Sequence, residues 1–191
     1  MHDEQDMLYA EEAALSDPAG LTGPRVVAAV DGSAGSRAAL QFAAEDAARR
    51  GVPVEAVVAF RSPDAWNDFE VVGRQETQRM RVRMRNDAEA RVRAVVDEVT
   101  RTAGGPLPEI AIRAVEGAPA DALIRASHGA VLLVVGSRGH GGFSSVLLGS
   151  TSMQCTLHAT CPVTVVHSAE AKRHRLRLHR ERRPEREPAL G

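Results

Sequence analysis

Lysine is almost missing from this chain. Of its 24 Lys and Arg residues in 191, only Lys172 is a lysine. No Walker A loop, G-x-x-x-x-G-K-[ST], can therefore be built, because no glycine loop ends on a lysine. The excess of arginine carries no functional reading. Cysteine is scarce too: Cys155 and Cys161 are the only two. They form neither a C-x-x-C pair nor part of a zinc constellation. A disulfide between them is conceivable on count alone. The expectation is two reduced, half-buried thiols around the end of the last helix, with a redox switch as the alternative. No apolar run is long enough to span a membrane, and the acidic start does not read as a signal peptide. The formal net charge is −1, so nothing overall points to nucleic acid or to an acidic partner. A cytoplasmic protein is expected. The dinucleotide fingerprint G-x-G-x-x-G is absent as well. So is the nucleophile elbow G-x-S-x-G, since Asp31 stands where its first glycine would be. A serine esterase built on Ser33 is left as a weak rival.

What is present is an alternation of apolar strands and helical patterns. Residues 1–24 hold six acids and no Lys or Arg, with Pro18, Gly20, Gly23 and Pro24 breaking the run. They read as an acidic leader, disordered or loosely attached, with a short helix over Gln5–Leu15 given little weight. Val26–Val30 is an apolar strand. The turn Asp31-Gly-Ser-Ala-Gly-Ser leads into a helix over Gly35–Arg50, capped by Ser33 or Ser36. A second strand, Val54–Phe60, precedes a loop over 61–73 with the only Trp, Trp66, which either shields a ligand or packs over the sheet edge. A long helix covers Arg74–Thr102. Its stripe of Met80, Met84, Ala88, Val92, Val95, Val96 and Val99 keeps helical spacing and reads as core. Gly104-Gly105-Pro106 ends it. Glu109–Val115 alternates as a strand, and Pro119 opens a helix running to about Ser127. Val131–Val135 is a strand apolar enough to be buried on both faces. A helix over Gly149–Ala159 follows, and Val163–His167 is the last strand. Four strand–helix repeats and a final strand imply an open α/β sheet, parallel and wrapped on both faces. Residues 25–168 read as one domain. Residues 169–191 form a basic, Arg-rich tail, solvated or docked on the leader, on nucleic acid or on a membrane surface.

The chain is organised around 131–151, VLLVVGSRGHGGFSSVLLGST. A buried strand empties into a loop rich in glycine, and a helix then opens near Ser150 and Thr151, which suit an N-cap. Strand, glycine loop and helix start together make an anion site. Glycine lets backbone N–H groups approach a phosphate, and the first N–H groups of a helix lack partners and carry the positive end of its dipole. The loop has no acid to repel an anion, and Arg138 is a charged fork beside it. His140 lies within it, facing either a phosphate or solvent; His158 is given no role. Asp31 stands at the matching end of the first strand, the edge where open parallel sheets collect ligands. It binds a ribose hydroxyl or a phosphate-borne metal, or else caps its own turn.

The spacing G-x2-G-x9-G-[ST] is met by Gly136, Gly139, Gly149 and Ser150. With VVAAVDGSAGS at 26–36 and HATCPVTVV at 158–166, the chain resembles the ATP-binding branch of the universal stress protein family over about Arg25 to His167. The resemblance implies an open doubly wound five-stranded parallel sheet of order 3-2-1-4-5, which makes the first and fourth strands neighbours and sets Asp31 across from Gly136. It implies ATP as the ligand. Adenine meets the backbone near Ala59. The ribose lies by Asp31 and Gly136, and the strand ends Ala29, Val30 and Val135 also bind the nucleotide. The phosphates lie on Gly139, His140, Gly149, Ser150 and Thr151, beside Arg138. Mg²⁺ rides on the triphosphate, since no all-protein cage for it is apparent. It also implies a homodimer through the last strand, Val163, Thr164, Val165 and Val166, whose apolar edge would otherwise be open. The sequence offers no convincing base to activate water. The expected role is a stress-response module read out by occupancy, with at most slow hydrolysis. A nucleotide-free interaction module and an ATP phosphohydrolase are the alternatives.

Overall fold

The computed structural model describes residues 20–61, 74–139 and 148–169. The elements run β1 (Val26–Ala29), α1 (Ala34–Arg50), β2 (Val54–Phe60), α2 (Arg74–Thr102), β3 (Ile110–Glu116), α3 (Pro119–Ala126), β4 (Leu132–Gly136), α4 (Ser150–His158) and β5 (Val163–Val166). These bounds fall within a residue or so of those expected. The signals are local: β-branched runs for strands, and Gly or Pro at the breaks. All four strand pairings are parallel, and the sheet order is β3-β2-β1-β4-β5.

Strand alternation sorts the side chains into two cores. Val26, Ala28, Val54, Ala56, Val58, Phe60, Leu132 and Val134 face α1 and α2, where Ala39, Leu40, Ala43, Val92 and Val95 meet them. Val27, Val57, Val115, Leu133 and Val135 face α3 and α4, against Ala122, Leu123 and Cys155. The helices thus cover both faces, as a sheet apolar on both sides requires. Small residues on α1 let it lie close to the strands. Ser33 caps it, accepting the Ser36 N–H at 3.1 Å, and Gly51 closes it in the left-handed conformation (φ +68°). β5 pairs with β4 alone.

Two expectations fail here. Met80 and Met84 are not core: they are 43% and 38% exposed, and the buried stripe of α2 begins only at Ala88. The inward positions above it hold Arg81, paired with Glu116, and Arg85, over the Phe60 ring. Phe60 and Glu116 are the last residues of their strands, so the first turns of α2 overhang the sheet and Met80 and Met84 are left exposed. Secondly, Cys155 is wholly buried, not half-buried; Cys161 is intermediate, and both thiols are free. Trp66 lies outside the described residues, as do the leader up to residue 19 and the tail from residue 170.

Candidate functional site

The C-terminal ends of β1 and β4 are neighbours, with Ala28 opposite Val134. Two residues on, that register sets Val30 beside Gly136. Both chains then turn away, the first into α1 and the second into the glycine loop. The two turns touch closely. A side chain on Gly136 would stand 2.7 Å from the Gly35 carbonyl carbon, and one on Gly35 would run into the Arg138 carbonyl oxygen. An added side chain on Gly136 would therefore meet the start of α1. It is Gly139 that meets Asp31: a Cβ there would lie 2.5 Å from Asp31 Oδ2. Neither Gly136 nor Gly139 has a positive φ, so close approach is what demands glycine at both. Asp31 Oδ1 accepts the Ser33 N–H at 2.9 Å, so the carboxylate does hold its own turn, while its second oxygen faces the glycine loop.

The helix start differs from the expectation in its cap. Ser150 and Thr151 are the first helical residues and the N-cap is Gly149, which offers no side-chain bond. The Gly149 N–H donates to Ser137 O at 2.8 Å and the Ser137 N–H to Val166 O at 2.7 Å. These two main-chain donors are therefore occupied. Gly149 offers room, with nothing nearer than 3.6 Å to an added Cβ, and not a donor. Ser152 Oγ donates to Gly136 O at 2.6 Å, locking the helix to the end of β4. The first-turn N–H groups of Ser150, Thr151 and Ser152 have no partner among the described residues, and they carry the dipole's positive end.

A cavity of about 690 Å³ opens over these turns. Ala29, Val30, Asp31, Ala59, Val135, Gly136, Arg138, Gly139, Gly149, Ser150 and Thr151 all line it. His140 lies outside the described residues. Asp31 and Arg138 are the only charged residues among those lining it. The Nε of Arg138 is buried with no hydrogen-bond partner among the described residues. One wall is apolar: Val57, Ala59, Pro119 and Leu123. The arrangement can hold a ligand with a flat apolar part at one end and an anion at the other.

A model of the universal stress protein family matches residues 24–167. The chain belongs to this family. Universal stress protein Rv2623 of Mycobacterium tuberculosis is 32% identical over 149 residues, 76% of this chain and 48% of that one. The chain thus spans about half the length of the curated relatives it matches. Among solved structures, the hypothetical protein MJ0577 shares the fold, with a TM-score of 0.61 at 15% identity over 77% of this chain and 97% of that one. A universal stress protein solved in complex with cAMP is 27% identical, with a TM-score of 0.48 over 77% and 98% of the two chains. That ligand belongs to that protein.

In this universal stress protein the sequence reading missed the apolar wall from α3. Its signal was present, because Pro119 and Leu123 are one helical turn apart just after β3. Ser33 serves as the cap of α1, its Oγ accepting the Ser36 N–H. Among the described residues no group of three His, Cys, Asp or Glu could hold a metal, and no helix is long and apolar enough to cross a membrane.

Proposed function

We propose that this universal stress protein binds ATP in the cavity at the C-terminal edge of its sheet. One juxtaposition carries the reading: the uncapped N-terminus of α4 and the Arg138 side chain line one cavity. A helix start and a guanidinium each favour an anion, and phosphate oxygens accept from both. The cavity volume falls within the ~300–1,000 Å³ usual for small-molecule sites.

Adenine stacks on the Pro119 and Leu123 wall and meets the backbone at Ala59. Asp31 Oδ2 takes a ribose hydroxyl while Oδ1 keeps the turn rigid. Arg138 and the Ser150 and Thr151 N–H groups hold the phosphates, with their hydroxyls as further donors. Mg²⁺, carried in on the triphosphate, supplies charge neutralisation when bound. Occupancy, and not turnover, is the signal. The domain works as a stress-response module in the cytoplasm and pairs with a second copy through the outer edge of β5.

Calorimetry of the full chain tests this. ATP should bind with measurable heat at millimolar concentration. Arg138→Ala should weaken ATP about tenfold, the loss of one charge-assisted bond, and leave adenosine unchanged. Gly149→Glu should abolish ATP binding by setting a carboxylate at the phosphate seat. No heat with ATP in the unmodified protein would remove the assignment and leave the interaction module.

A further inference from the structure

The first turns of α2 are inverted relative to the rest of the helix. From Ala88 on, the inward residues are apolar and buried: Ala88, Val92, Val95, Val99. Before it the inward side is polar, and the apolar residues face out. Met80 and Met84 are exposed and one turn apart, hence on one face. Arg79 and Arg83 stand next to them, exposed and in no ion pair among the described residues. No acid occurs between Glu76 and Asp87. A pair of adaptable thioethers beside unneutralised guanidinium groups fits a short acidic segment with apolar side chains of its own.

The chain contains such a segment. Residues 1–19 hold six acids, no Lys or Arg, and Met7, Leu8 and Leu15. They join the fold at Gly20, which packs against Arg113 and Glu55. Arg113 belongs to β3, the open edge of the sheet and a strand on which α2 lies. Arg113 is on the face opposite α2, so the segment must round that edge and run toward the C-terminal ends of the strands. Nineteen residues reach up to ~60 Å when extended, ample for the turn, and a tether holds them near the millimolar range. We infer that the acidic N-terminal segment of this chain docks on the face of α2 formed by Arg79, Met80, Arg83 and Met84.

Peroxide oxidation of the full chain at low salt, read methionine by methionine by mass spectrometry, tests the docking. Glu11→Arg with Glu12→Arg should speed oxidation of Met80 and Met84 about fivefold, the change expected when ~80% occupancy is lost. Met153, exposed on α4, is the bystander whose rate should stay fixed. About 0.5 M salt should act in the same direction. The proposal is overturned if the Glu11→Arg, Glu12→Arg variant leaves Met80 and Met84 unchanged. It is equally overturned if their protection varies with protein concentration, for then a second copy covers the face.

Discussion

The two edges of the sheet are built on opposite principles. At the N-terminal edge, charge is buried and paired. Glu55 is 1% exposed in the second position of β2. Arg25 Nε meets its Oε2 at 2.7 Å and Arg113 its Oε1 at 3.4 Å. Arg25 also donates to the carbonyls of Gly23, Ala126 and His128, tying the end of α3 to the start of β1. At the C-terminal edge the side chains are withdrawn. Glycines let backbone touch backbone, and one helix start has no side-chain cap. The first edge holds the fold together with its polar groups. The second leaves polar groups open, which is what a binding site requires and what stability alone would not retain.

The largest effect should come from breaking the paired edge. Glu55→Gln leaves the buried guanidinium of Arg25 and the partly buried one of Arg113 facing a neutral amide. The expected cost is about 3 kcal/mol or more, the scale for removing one partner of a buried pair, read as a lower midpoint in urea. ATP affinity of the protein that remains folded should not change. A Glu55 variant that lost nucleotide affinity at full stability would show that the two edges are not separate.

A smaller effect should separate the glycines of the open edge. Gly139→Ala drives a methyl into Asp31 Oδ2 and should weaken ATP by about tenfold, roughly 1.4 kcal/mol, with adenosine weakened alongside it because Asp31 serves the ribose. Gly149→Ala meets only ordinary contacts and should change affinity by less than about threefold. If the two variants behave alike, the motif glycines act through backbone freedom and not through the contacts seen.

How much of this was legible depended on whether the signal was local. Val54–Phe60 and Arg74–Thr102 could be read from periodicity, and Asp31, Gly136 and Gly139 from turn chemistry at strand ends. The strand order came from resemblance, because no residue pattern states which strands are neighbours. Met80 and Met84 were misread because helical spacing reports a face but not how far the sheet extends beneath it. The cap at Gly149 was hidden because it depends on Ser137 O, across a loop. Glu55 was overlooked although it left a mark: one carboxylate inside an apolar strand must find a buried partner. Its partners lie 30 and 58 positions away, beyond any local pattern.

The smallest effect uses the two thiols as reporters, one for each edge. Cys155 is buried in α4, the helix whose start lines the cavity. Cys161 sits just before β5, at the end of the sheet where Pro162 O accepts the Leu133 N–H. Burial pushes the Cys155 thiol up to about 11 and raises Cys161 as well. Both are therefore neutral at pH 7, and alkylation, which needs the thiolate, should be slow for both, slowest for Cys155. A raised thiol favours the folded state below the unfolded value near 9 and loses that contribution as pH climbs toward 11. Stability should thus fall across that window, and Cys155→Ala should flatten the fall. ATP should slow Cys155 labelling by holding the first turn of α4, and leave Cys161 as it was. Equal slowing of both thiols would mean that the nucleotide tightens the whole domain, and the division between a closed edge and an open one would have to be given up.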